Sequence, residues 1–316
     1  MTVSRPAALA ILTVMPLFFS SNIIFGRAAV DEVGPFTLAF LRWFGTAFVL
    51  AVIGRAALRA HWPALRALDR RWLAMGFFGM WVCGALVYWA LAHTTATNGT
   101  LIYTTSPVLI IALEAILRGR RVALRELVGI AIAIAGVIVI IARGTVQTLL
   151  ALDFNAGDLV FVATAISWAA YSVMLKAAAV QAVPTVASFC ALSFAGALTL
   201  APFAAFEIVA LNGWPASVVA WGQVGGIVLF ASLLAFSAYQ IGVRVLDPTL
   251  AGVFLYLLPV YGVAMAVLFL GETFERFHAV GIVTVLAGVV LATFPAPKGL
   301  AHRRSRGKAR LSARSS

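Results

Sequence analysis

Two ionisable side chains, Arg42 and Glu114, stand inside long apolar stretches of this chain, where a charge is costly and is by default a candidate for function. Arg42 lies seven residues past Pro35, about 10 Å into its stretch at about 1.5 Å per residue. Two roles are open to it: pairing with a substrate carboxylate, or serving structure by satisfying carbonyls of a broken helix or snorkelling outward. Glu114 falls one turn from a basic loop, so it can either carry a proton or snorkel toward Arg118 or Arg121. Asn22, Trp81, Tyr88, Tyr103, Trp168, Tyr171, Tyr239, Gln240 and Tyr256 share these apolar surroundings. Together they suit a pocket for an organic solute, stacking on an apolar side chain and meeting an ammonium group by cation–π contact. Each is equally open to a plainer reading, as interface belt or helix packing. Pro16, Pro107, Pro202 and Pro259 also fall inside apolar stretches. They are candidate hinges, though membrane helices tolerate proline without any motion attached.

Enzymatic signatures are missing. The chain has no HExxH, GxSxG or GxxxxGK[ST] pattern, and its histidines, at 61, 93, 278 and 302, are scattered. The two cysteines, Cys83 and Cys190, each sit in an apolar stretch, which suggests packing and neither a disulfide framework nor a thiolate metal site. No cofactor, metal or catalytic centre is expected.

The elements that must position these residues are membrane helices. Hydrophobic residues make up 63% and charged residues 11% of the 316, against about 25% charged in an average soluble domain, and mean hydropathy is +1.03. About 20 apolar residues span a bilayer as a helix. Ten such spans are predicted: 7–29, 36–54, 72–92, 97–117, 124–142, 157–177, 185–206, 219–241, 249–270 and 277–295. Their apolar character all round excludes barrel strands, which alternate. The first is too long for a signal-peptide core.

The net charge of +12 suggests nucleic acid only until it is placed on this topology. With a cytoplasmic N-terminus (residues 1–6), nineteen of the 23 lysines and arginines face inward, which is positive-inside bias and leaves no call for a nucleic-acid partner. Both termini are then cytoplasmic. Residues 296–316 are expected to be a basic, disordered tail near anionic lipid headgroups.

The chain is also a duplication. Pro107, Gly119, Gly129 and Gly136 are spaced by 12, 10 and 7 residues, and Pro259, Gly271, Gly281 and Gly288 repeat those spacings. Arg27 aligns with Lys176, and Pro35 and Phe40 align with Pro184 and Phe189. The repeats are 7–142 and 157–295, joined by a periplasmic linker at 143–156. Five spans per copy is an odd number, so the second copy enters the membrane inverted. Such symmetry lets one scaffold open to either side around a midplane site.

Several motifs in this order resemble the EamA-type drug/metabolite transporters. They are Leu38-Ala39-Phe40-Leu41-Arg42, Ser106-Pro107, Gly157-Asp158-Leu159, Trp168-Ala169-Ala170-Tyr171, Gly271-Glu272, and the Gly-x6-Gly of spans five and ten. The likeness covers about residues 7–295, and Ser20-Ser21-Asn22 in the single-chain ten-helix form looks most like the YddG-type amino-acid exporters. One position departs from the pattern: Arg120 follows Gly119 where the second copy has Glu272. The resemblance implies spans 1–4 and 6–9 around a central cavity, with spans 5 and 10 peripheral. It implies a monomeric secondary carrier in the bacterial inner membrane, exporting aromatic or broadly neutral amino acids by alternating access. The alternatives are another small metabolite, an amphipathic drug, or a channel or lipid-handling role.

Overall fold

The computed structural model describes residues 3–30, 32–91, 93–94, 96–151, 155–270 and 273–293. Among them ten helices are long and apolar enough to cross a bilayer: α1 (Arg5–Gly26), α2 (Pro35–Ile53), α3 (Arg70–Ala90), α4 (Asn98–Arg118), α5 (Leu124–Ile141), α6 (Ala156–Met174), α7 (Thr185–Leu211), α8 (Val218–Val245), α9 (Pro248–Met265) and α10 (Arg276–Thr293). No strand forms among the described residues. The tail 296–316, the Gly271-Glu272 pair and the Arg27 side chain lie outside what is described. Large apolar side chains face outward, with Val209 84% and Leu159 73% exposed, as a lipid-solvated surface requires.

Two helices run past their expected ends because a polar residue there is satisfied by protein. α7 was expected to stop at 206 but continues to Leu211, since Glu207 is buried as an acceptor; Asn212 then ends it in the left-handed region at φ 52°. α8 continues beyond 241 because the Arg244 guanidinium donates to the carbonyls of Gln181 (2.8 Å) and Val183 (2.7 Å). Beside it, Lys176 Nζ donates to the carbonyls of Val243, Arg244 and Leu246, each at 3.1 Å, a cation seated on a helix C-terminus. Burial lowers the Lys176 pKa from its usual value, with Asp247 opposing the shift.

The same irregularities recur in both halves. α3 and α8 each contain a π-helical stretch, Phe77–Leu86 and Ile227–Leu234. α4 breaks at residues 104–105, so Pro107 begins a new helix near its N-terminus. α9 passes through a 3₁₀ turn at Phe254–Leu257, and Pro259 again follows the break. These two prolines thus stand at helix starts, where a missing N–H costs nothing. Pro16 and Pro202 lie inside continuous helix.

α5 and α10 cross through their glycines. A Cβ at Gly129 would lie 2.7 Å from the Gly288 carbonyl oxygen, and one at Gly136 would lie 2.8 Å from that of Gly281. The order is reversed along the two helices, so they run antiparallel. Close small-residue crossings of this kind replace the hydrophobic drive that lipid removes.

α2 and α7 also pack antiparallel, and Glu207 joins them. Its carboxylate accepts from Phe36 N (3.2 Å), Thr37 N (2.7 Å) and Thr37 Oγ1 (2.9 Å), capping the first turn of α2 from another helix. Glu207→Ala should lower stability by about 2–3 kcal/mol, because three bonds to a charged acceptor are lost and two backbone donors orphaned. Glu207→Gln, keeping one acceptor oxygen, should lose about half as much. Thermal unfolding of detergent-solubilised protein reads the difference; equal melting temperatures for all three proteins would refute this role.

Candidate solute cavity

Within the bundle lies a cavity of about 410 Å³, a size suited to a small organic molecule. Ile24, Val87, Ile140 and Met265 line it from near the C-terminal ends of α1, α3, α5 and α9, and Gly99 and Phe161 from near the N-terminal ends of α4 and α6. A chain that crosses repeatedly brings all those ends to one face, so the cavity reaches toward that face. Its deep wall is aromatic. The Trp168 ring meets Phe19 at 5.9 Å, Phe236 at 5.4 Å and Tyr239 at 4.8 Å, with Tyr103 at 6.4 Å. Phe19 and Trp168 occupy corresponding places in the two halves, 149 residues apart like Pro35 and Pro184.

Four members of the aromatic and amide set line this cavity: Asn22, Tyr103, Trp168 and Tyr256. Tyr256 OH is buried without a hydrogen-bond partner among the described residues. The other five do not line it. Trp81 packs among Phe36, Phe77 and Phe203 between α2, α3 and α7, with Phe77 and Phe203 turned to lipid. Tyr88 stands behind Asn22, donating its hydroxyl to Asn22 Oδ1 at 2.8 Å. Tyr171 and Tyr239 back the Trp168 ring, and Tyr239 OH donates to Ser172 Oγ at 2.7 Å. Gln240 is buried in α8 with its Nε2 unpartnered among the described residues. Pro107 and Pro259 line the cavity, whereas Pro16 and Pro202 do not. The lining draws on spans 1–6, 8 and 9, which departs from the expected arrangement at two places: span 7 gives no lining residue, and span 5, expected to be peripheral, gives Ile140. Cys83 is a lining residue that its plain packing role in the sequence did not suggest.

Arg42 is 3% exposed and forms part of the cavity wall. Nε donates to Ser232 Oγ (2.7 Å) and Nη2 to the Ala231 carbonyl (3.2 Å), within the π-helical stretch of α8. Nη1 donates to Tyr88 OH (3.2 Å) and Asn22 Oδ1 (3.4 Å). The guanidinium therefore joins α1, α2, α3 and α8, and among the described residues no carboxylate lies within ion-pairing distance.

Toward the opposite face lies a cluster of charges. Glu114 does not snorkel: it is 3% exposed and accepts from Thr249 Oγ1 on α9 at 3.1 Å. Arg118 and Arg120, rather than Arg121, approach it, each at 3.7 Å. Arg120 reaches on to Glu126 (3.1 Å) and Asp247 (3.8 Å). Gly119, at φ 62°, makes the left-handed turn that swings Arg120 into this group of three carboxylates. The departure of Arg120 from its repeat partner is thus a charge placed to join α4, α5 and α9. On the cavity face, Asp158 accepts from Thr94 Oγ1 (2.6 Å) and Asn98 Nδ2 (3.1 Å), which ties the Gly157-Asp158-Leu159 turn to the α3–α4 connection.

Ten apolar helices among the described residues, eight of them lining a solute-sized cavity, with an ion-pair cluster toward the opposite face, define the class of polytopic membrane transporters. The EamA-like transporter family model matches residues 6–142 and 155–294, so the chain belongs to that family. It is similar to an uncharacterized transporter, YetK of Bacillus subtilis, at 27% identity over 91% of this chain and 84% of that one. It is also similar to the aromatic amino acid exporter YddG of Ancylobacter novellus, at 25% identity over 86% of this chain and 92% of that one. A protein of known crystal structure superposes at a TM-score of 0.72, covering 92% of this chain and 98% of that one at 24% identity, a likeness of fold. The chain is a multi-pass membrane transporter.

Proposed function

We propose that this chain is a secondary carrier that exports aromatic or broadly neutral amino acids across the bacterial inner membrane by alternating access. The observation that carries the reading is the aromatic cavity, walled by Trp168, Phe19, Tyr103 and Phe236. Similarity to an exporter of aromatic amino acids supports the solute class. The reading takes both termini as cytoplasmic, which turns the cavity to the periplasm and the Glu114–Arg120 cluster to the cytoplasm.

The two repeats, 7–142 and 157–295, are taken as inverted copies. Support comes from the α5–α10 crossing: exchanging Gly129 with Gly281 and Gly136 with Gly288 maps each close pair onto the other. A two-fold axis in the membrane plane produces such a closed, antiparallel set. Pro107 and Pro259 are its candidate hinges, each beside a helix break on the cavity wall. Pro16 and Pro202, in unbroken helix away from the cavity, are read as tolerated bends.

The test is counterflow of a labelled amino-acid panel into proteoliposomes holding only the purified protein. Saturable uptake of phenylalanine, competed by other neutral amino acids and cut at least about tenfold by Tyr103→Ala, is the expected result. No counterflow with any amino acid, in vesicles where the protein is folded, would transfer the reading to another metabolite, a drug or a lipid.

Among the described residues no carboxylate, lysine or histidine lines the cavity. The solute step should therefore need no proton, and counterflow should stay level between about pH 6 and about pH 8, the range in which an unperturbed histidine would titrate. A rise or fall of more than about threefold would place a titrating group in the pathway.

A further inference from the structure

We propose that Arg42 is the anion-recognition group of the cavity, so that the solute must present a carboxylate or similar oxyanion and organic cations are refused. This rests on the cavity being the solute site and narrows what that site accepts.

Arg42 is the one charged side chain among the described lining residues, so the wall carries a net positive charge with nothing acidic to offset it. In a low-dielectric wall such a charge acts strongly on any ion that enters, attracting an oxyanion and repelling an ammonium group that has no anion of its own. Among the described residues, all four hydrogen bonds from the guanidinium go to neutral acceptors: a serine hydroxyl, a peptide carbonyl, a phenol and an amide oxygen. A buried cation is ordinarily paired. A neutral donor would serve the Ala231 carbonyl and Ser232 as well, so helix bracing alone does not account for the charge.

The geometry also leaves room for an anion. Nη2 bears two hydrogens and, among the described residues, makes one bond, to Ala231. The Nη1 contact with Asn22 is long at 3.4 Å, and Asn22 Oδ1 already accepts from Tyr88 OH at 2.8 Å. The long bond can be ceded to a solute without orphaning Asn22. A carboxylate would then take the terminal edge of the guanidinium, the fork geometry that arginine offers and lysine does not. Stacking against Trp43 (4.5 Å) and Phe236 (5.4 Å) holds the guanidinium in place.

The probes are 3-phenylpropionate, 2-phenylethylamine and L-phenylalanine, which carry the same ring and differ in their charged ends. Affinity for the purified full chain in detergent is read by ligand-induced thermal stabilisation. The expected result is that 3-phenylpropionate binds at least about tenfold more tightly than 2-phenylethylamine, and that Arg42→Gln brings the ratio below about twofold. Should R42Q not be recovered folded, the wild-type ratio alone decides. Equal or tighter binding of the amine, or no binding of either carboxylate, overturns the proposal. Binding of 3-phenylpropionate without binding or exchange of phenylalanine would remove the amino-acid reading and leave the anion site standing. Phenylalanine exchange without a carboxylate preference would do the reverse.

Discussion

Trp168→Ala is expected to reduce counterflow to the level of empty vesicles, the largest single loss in the cavity. The indole is 2% exposed and touches five other rings, from α1, α4, α6 and α8, so it is both part of the cavity wall and one of the contacts between the two halves. Removing it enlarges the cavity, takes away the stacking surface and loosens Phe19 against Phe236. Truncating a buried tryptophan costs about 3–5 kcal/mol of stability, so transport must be scaled to folded protein. Trp168→Phe separates the two effects: it keeps a ring and most of the volume, and should restore folding while leaving counterflow at least about fivefold below wild type. Counterflow within about twofold of wild type for folded Trp168→Ala would remove the indole from the solute path.

The second large effect is on assembly. Gly136→Leu should cost about 3 kcal/mol or more and leave little protein that survives purification. A Cβ there meets the Val285 amide nitrogen at 2.6 Å and the Gly281 carbonyl oxygen at 2.8 Å, and backbone cannot move aside as a side chain can. α5 and α10 would separate, and the close crossing they depend on in lipid would be lost. Gly222→Ala and Gly225→Ala on α8 are the controls, since nothing lies within 4 Å of a Cβ at either. Size-exclusion profiles and melting temperatures of the three variants check this; a monodisperse Gly136→Leu of wild-type stability would show that the crossing is not needed.

Arg42 and Glu114 show how far a sequence can be read. Each was marked by a simple conflict, a charge in an apolar stretch, and both are nearly fully buried. Their partners were not legible. Arg42 donates to residues 189 and 190 positions away on α8, and Glu114 accepts from a threonine 135 positions away on α9. Glu207 was missed because it stands just past the apolar run that defined its span. A carboxylate at a span end opposite another helix's Gly-Pro start was the available signal. The prolines divided in the same way: all four sit in spans, but only two stand at helix breaks on the cavity wall.

Number, order and approximate limits of the ten membrane helices came from the sequence by itself, because spanning a bilayer depends on the length and polarity of a continuous segment, and both are one-dimensional. The glycine spacing likewise marked the duplication, but that α5 and α10 cross through those glycines is a finding of the structure. Only the tertiary structure decided that Asn22, Tyr103, Trp168 and Tyr256 line the cavity while Trp81, Tyr88, Tyr171, Tyr239 and Gln240 stand behind or away from it. A helix that is apolar all round carries no stripe to tell its inner face from its lipid face, so rotation about its axis is set by packing against its neighbours.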